Sequence, residues 1–178
     1  MTVAPTSANT PCWGTIADID PKTVAKIGKL LLERVVAVYK EAGVSLPARQ
    51  LWAVGDVPYE CNMLLVSLEG LSEGLLNTEN RVPNPCDTPV IAEFNITVVR
   101  CAPIPDSRGT PPSPEKYAEA AEITSTDAYL LMRASCSLDM FGALIPGFVG
   151  SMGVESSVSI ESAQGGVQAV TLTLRTVV

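Results

Sequence analysis

The sequence predicts an α+β domain in which a mixed or antiparallel sheet of about five strands is packed by two main helices. Three observations carry this. Apolar runs of strand length cluster between Arg49 and Cys101 and again after Val154. Two stretches with helical periodicity, each opened by a proline, fall before and after the first cluster. Helices and strands do not alternate, so a doubly wound parallel fold is disfavoured. The expected order is helix, three strands, helix, two strands. With 178 residues the chain forms one domain, residues 16–178, preceded by a flexible arm over residues 1–15.

The first helix opens at Asp20-Pro21, an N-cap residue followed by proline at the first helical position. Val24, Ile27, Leu31, Val35 and Val38 then recur at helical spacing and form one buried stripe. Lys22, Lys26, Lys29 and Glu33 lie on a solvated face, and Gly43 suits the C-terminal cap. Leu30, Leu32, Val36 and Tyr39 widen the apolar face, to be covered by a second element or by another subunit.

Three strands follow. The first runs from Arg49 to Val57. The second, Cys61 to Leu68, is apolar on both faces and belongs inside the sheet. A long loop spans Gly70 to Asp87. The third strand runs from Val90 to Cys101, with Ala92, Phe94, Ile96 and Val98 on the core side and Glu93, Asn95 and Thr97 opposite. A connector with five prolines leads to Ser113-Pro114-Glu115, the start of a second helix that reaches Leu131 with a break near Ser125-Thr126. Residues 138–153 are apolar and glycine-rich and match neither periodicity. Val154–Ser162 and Val167–Val177 form a hairpin about Gln164-Gly165-Gly166.

Composition limits the chemistry. The chain contains no histidine, so Ser-His and Cys-His pairs and an imidazole base are absent. The five cysteines, Cys12, Cys61, Cys86, Cys101 and Cys136, lack zinc-ligand spacing. Their odd number fits reduced thiols; Cys61, Cys101 and Cys136 read as small core residues, and a Cys86–Cys101 bridge is compatible with the spacing. Gly142, Gly147, Gly150 and Gly153 lack the lysine of a phosphate loop and read as a flexible contact loop. Glu119 and Glu122 read as a solvated helix face. No catalytic residue, cofactor or metal ligand is expected, and the chain is not expected to be an enzyme.

The net charge of −7 disfavours a nucleic-acid surface. Residues 1–43 hold five basic and four acidic side chains, so the negative charge belongs to the remainder. Charged residues make up 17%, below the roughly 25% usual for soluble domains; a large core accounts for this as well, and surfaces that meet other subunits are modestly favoured. No signal peptide or membrane span is expected.

Several segments together resemble the head–tail connection proteins of long-tailed actinobacteriophages, and among them the tail terminator. They are Arg49-Gln50 before a strand, Cys61-Asn62-Met63-Leu64-Leu65-Val66-Ser67-Leu68, a loop bearing Pro and Cys, Glu93-Phe94-Asn95-Ile96-Thr97-Val98-Val99-Arg100-Cys101-Ala102-Pro103, and Asp127-Ala128-Tyr129-Leu130-Leu131. The resemblance covers roughly residues 20–135. It implies the fold of lambda-type tail terminators and a virion protein that assembles in the host cytoplasm. Its copies would form a ring, a hexamer, on the head-proximal end of the tail, ending tube polymerisation and docking the head. The implied partners are other copies of the chain, the tail tube protein and a head-completion or stopper protein, with DNA passing through unbound.

On that expectation Trp13, Phe141, Ile145, Phe148 and Val149 are candidate subunit contacts, and Glu93, Glu155 and Glu161 are candidate acidic residues facing the channel. A stopper or adaptor ring of the same neck is the nearest rival. A small-molecule binding domain, with a pocket under the Gly70–Asp87 loop, is the rival of another class.

Overall fold

A computed structural model describes residues 21–73, 90–136 and 154–177. The elements are α1 (Pro21–Ala42), β1 (Arg49–Val54), β2 (Met63–Glu73), β3 (Val90–Cys101), α2 (Pro114–Cys136), β4 (Val154–Ile160) and β5 (Val167–Val177), in the expected order. The strands form one mixed sheet, β1-β2-β3-β5-β4, in which only β1 and β2 are parallel.

The helical stripe of α1 is its buried face. Val24, Ile27, Leu31, Val35 and Val38 are all buried, and Leu30, Leu32 and Val36 flank them against the same core. The helix ends in a Schellman motif: Gly43 (φ 66°) donates to the Lys40 carbonyl, and Val44 donates to that of Tyr39. Ser113 caps α2, accepting the backbone N–H groups of Lys116 and Tyr117 on its carbonyl. The predicted break in α2 does not occur. Thr124, Ser125 and Thr126 turn their hydroxyls back to the carbonyls of Ala120, Ala121 and Glu122, so their polar groups are satisfied within the helix.

Both helices lie on one face of the sheet. Leu64 and Val66 of β2, Ala92, Phe94, Ile96 and Val98 of β3, and Val170, Leu172 and Leu174 of β5 meet the helices in one core. The Trp52 ring bridges β1 to this core, 6.0 Å from the Phe94 ring and directly over Gly28 of α1. The second strand is longer than expected. Gly70 marks a β-bulge rather than the start of a loop: Leu68 pairs with Phe94 and Gly70 with Glu93, leaving Glu69 as the extra residue.

The opposite, outer face is crossed by the connection between β1 and β2. Parallel neighbours need a return path along the full strand, usually supplied by a helix. Here residues 55–62 alone make it, and eight residues reach about 28 Å at most. That covers the length to be recrossed, five steps of about 3.3 Å or about 17 Å, and the path turns at Gly55 (φ 73°) and Asn62 (φ 62°). It packs Val57 onto a small apolar cluster of Met63, Leu65, Val99 and Ala169.

Candidate functional site: the outer sheet face and its two edges

Along the outer face the side chains change character. Beyond the apolar cluster lie Ser67, Asn95, Thr97, Thr171 and Thr173, paired by short polar contacts. Thr97 and Thr171 hydroxyls are 3.1 Å apart, Thr173 donates to Asn95 at 2.8 Å, and Ser67 donates to Glu69 at 2.5 Å. Between this face and the connection is an open groove of about 480 Å³, lined by Asp56, Val57, Pro58, Tyr59, Leu65 and the polar residues of β2 and β3. The predicted pocket under residues 70–87 falls largely outside the described residues; the groove sits under residues 55–60 instead.

Glu93, Glu155 and Glu161 all belong to this outer face. Glu93, Arg175 and Glu155 stand directly opposite one another on β3, β5 and β4. Arg175 lies 3.4 Å from Glu93 and 3.0 Å from Glu155, so one guanidinium is shared between two of the three acidic residues and the row keeps one net negative charge. Glu161, at the other end of β4, accepts the Thr171 hydroxyl at 3.3 Å. Trp13, Phe141, Ile145, Phe148 and Val149 lie outside the described residues.

On the helix side, Tyr39, Arg100 and Asp127 form a buried polar triad that sequence reasoning did not single out. Asp127 accepts the Tyr39 hydroxyl at 2.7 Å and both arms of the Arg100 guanidinium at 2.8 and 2.9 Å. Arg100 also donates to the Ser45 carbonyl at 3.1 Å, tying down the loop after α1. Burial, reinforced by the Asp127 carboxylate, pushes the Tyr39 phenol far above its ordinary value. The hydrogen bond to Asp127 raises Arg100 further, against the effect of its burial. The signal was present. Asp127 falls on the same helical stripe as Thr124, Leu131 and Ala134, and Arg100 shares the core side of β3 with Val98 and Ile96. With the Tyr39 hydroxyl, both Asp127 oxygens and two of the three Arg100 nitrogens engaged, the triad braces three elements as a structural tie.

The cysteine expectations are corrected. Cys61, Cys101 and Cys136 are exposed rather than core, because each lies at an element end where the chain leaves the packed layers. Cys61 and Cys101 are joined by a disulfide, with Cα atoms 4.9 Å apart, and Cys136 is a free thiol. The pairing follows from register. Met63 stands opposite Val99, and two further steps along the same antiparallel pair bring Cys61 opposite Cys101. Cys101 is therefore not bridged to Cys86, which lies outside the described residues.

Both ends of the sheet are open among the described residues. Arg49 donates to the Asn62 carbonyl and Gly55 to that of Leu68, so alternate residues of β1 bond to β2. Gln50, Trp52 and Val54 between them turn their N–H and C=O groups outward. On β4, Glu161 donates inward to Ala169, so Ser156, Val158 and Ile160 present theirs outward. Val54 and Ile160 are 72% and 55% exposed, large apolar side chains left uncovered at the two edges. No helix among the described residues is long and apolar enough to cross a membrane, and no cluster of potential metal ligands occurs there. Comparison of the sequence with protein-family models and with curated proteins gives no match.

Proposed function

We propose that this chain is a structural virion protein, a tail terminator whose copies form a hexameric ring on the head-proximal end of a phage tail tube. In this role it stops tube polymerisation and docks the tail to the head. The observation that carries the reading is the pair of sheet edges left open among the described residues, different in sequence and on opposite sides of the sheet. Head-to-tail contacts between two different surfaces are what a closed cyclic assembly requires. The acidic balance of residues 44–178 supports passage of DNA without adhesion. The polar groups of the described core act as structural braces, which favours work by shape over catalysis.

Mass determination of the purified protein, alone and with tail tube protein, tests this. A ring, or ring formation induced by the tube, is expected. A chain that stays monomeric and ignores the tube overturns the proposal. Imaging of particles lacking the protein separates the terminator from its neighbour in the neck. Abnormally long tails indicate a terminator, and DNA-leaking heads beside normal tails indicate a stopper or adaptor.

The outer groove favours a second reading, a small-molecule binding domain. Its volume lies within the range of ligand pockets, and it combines Tyr59 with polar groups of β2 and β3. Copurification of a bound metabolite with the monomer would support that reading.

A further inference from the structure

We propose that copies of this chain join edge to edge. The outer edge of β1 in one copy pairs antiparallel with the outer edge of β4 in the next, with Arg49 opposite Glu161, Trp52 opposite Val158 and Val54 opposite Ser156. This rests on the ring reading above and supplies its lateral contact.

Four features converge on that pairing. Direction is the first. β1 runs parallel to β2, and β3, β5 and β4 alternate after it, so β1 and β4 run opposite ways within one subunit. A rotation about an axis along the strands therefore brings β4 of one copy antiparallel to β1 of its neighbour.

The second is the parity of the backbone groups. Gln50, Trp52 and Val54 point their amides outward, as do Ile160, Val158 and Ser156. The proposed register sets these residues opposite one another in the same order, so each pair exchanges hydrogen bonds. It also keeps Arg49, Leu51 and Ala53 on the same face as Glu161, Ser159 and Ser157.

The third is level. Within one subunit a single row crosses the sheet from Arg49 through Met63, Val99 and Ala169 to Glu161. A cyclic ring has no rise, so with strands along the axis a row leaving one copy at Arg49 must enter the next at Glu161.

The fourth is chemistry. The register matches a guanidinium with a carboxylate and an indole with a β-branched side chain, both favourable across strands. Arg49 already pairs with Glu60, yet its side chain stays 59% exposed. Neither RQLWAV nor VESSVSI carries the proline, lysine or bulge with which edge strands usually block such pairing. A twofold β4–β4 pairing centred on Val158 would instead oppose Glu155 with Glu161, two like charges.

The test is cysteine crosslinking in the full chain carrying Cys12→Ser, Cys86→Ser and Cys136→Ser, with and without tail tube protein. Ala53→Cys with Ser157→Cys places thiols at a pair that shares no hydrogen bonds, where side chains approach closest. Mild oxidation is expected to give a covalent ladder ending at the ring. Either single variant, and Ala53→Cys with Glu161→Cys, four residues out of register, should give none. Val158→Pro removes an outward N–H and no bond to β5, so multimers should be lost with an unchanged circular dichroism spectrum. Rings by mass without the matched crosslink overturn the edge pairing and leave the ring reading standing. Crosslinking by Ser157→Cys with Ser159→Cys, which face each other in the β4 pair centred on Val158, shows twofold pairing and overturns the proposal, and a monomer under every condition overturns both.

Discussion

Arg100 and Asp127 meet in a two-pronged ion pair whose carboxylate also holds the Tyr39 hydroxyl, so one buried acid joins β3 to both helices. Asp127 is almost wholly buried and Arg100 nearly so, with side chains 1% and 16% exposed. Removing the acid leaves a guanidinium and a phenol without their partner. Asp127→Ala is therefore expected to cost about 3–5 kcal/mol in urea unfolding, and Asp127→Asn, which keeps an acceptor for Tyr39, less. A loss below about 1 kcal/mol for the alanine variant would show that the triad does not brace the fold.

The same contact fixes a response to alkali. The folded pKa of Tyr39 is raised, so above the unfolded value of about 10 the unfolded chain releases a proton that the folded chain retains. The native state then binds more protons, and stability falls as pH rises. This contribution is fully present below pH 10 and declines by about 1.4 kcal/mol per pH unit above it. Tyr39→Phe should lower stability at neutral pH by about 1 kcal/mol for the lost hydrogen bond and should lack this part of the alkaline slope. Parallel pH profiles of the two proteins would exclude the linkage.

Gly28 is set by a neighbour rather than by its own backbone. A β-carbon there would occupy the space of the Trp52 ring. Alanine favours a helix by about 1 kcal/mol, but forcing a methyl into a packed site costs about 1–3 kcal/mol. Gly28→Ala should therefore lower the melting temperature. In a Trp52→Leu background the same change should become neutral or stabilising, and additive effects would contradict the proposed clash.

The Cys61–Cys101 bridge closes a loop with a sequence separation of 40, for which chain entropy predicts about 4 kcal/mol of stabilisation. Cys61→Ser should melt earlier than the parent without reductant and together with it in excess reductant. Equal melting under oxidising conditions would mean that the bond contributes nothing to folding.

Much of the architecture was readable from residue periodicity. The stripe from Val24 to Val38 and the alternation of Ala92, Phe94, Ile96 and Val98 each define one buried face, and both became core. The misreadings share a cause. Gly70 and the Ser125-Thr126 pair intrinsically favour a loop and a helix break, whereas a bulge and hydroxyl-to-carbonyl bonds absorb them into regular structure. Cys61 with Cys101, and Tyr39 with Asp127, required the register of distant strands and helices, which local pattern does not contain. The edge alignment is hidden for the same reason, since it depends on a row running through four separate strand pairings.

The short path from Gly55 to Asn62 makes the spacing of β1 and β2 along the polypeptide a ruler. Its reach exceeds the length of the strand it recrosses by only about three residues, so tolerance to length change should be lopsided. Extra residues would bow outward into solvent at small entropic cost, whereas removal of three would drag the edge strand out of line. Natural or engineered variation in this span should therefore run toward lengthening, and a shortened version would forfeit the very border at which one subunit greets the next.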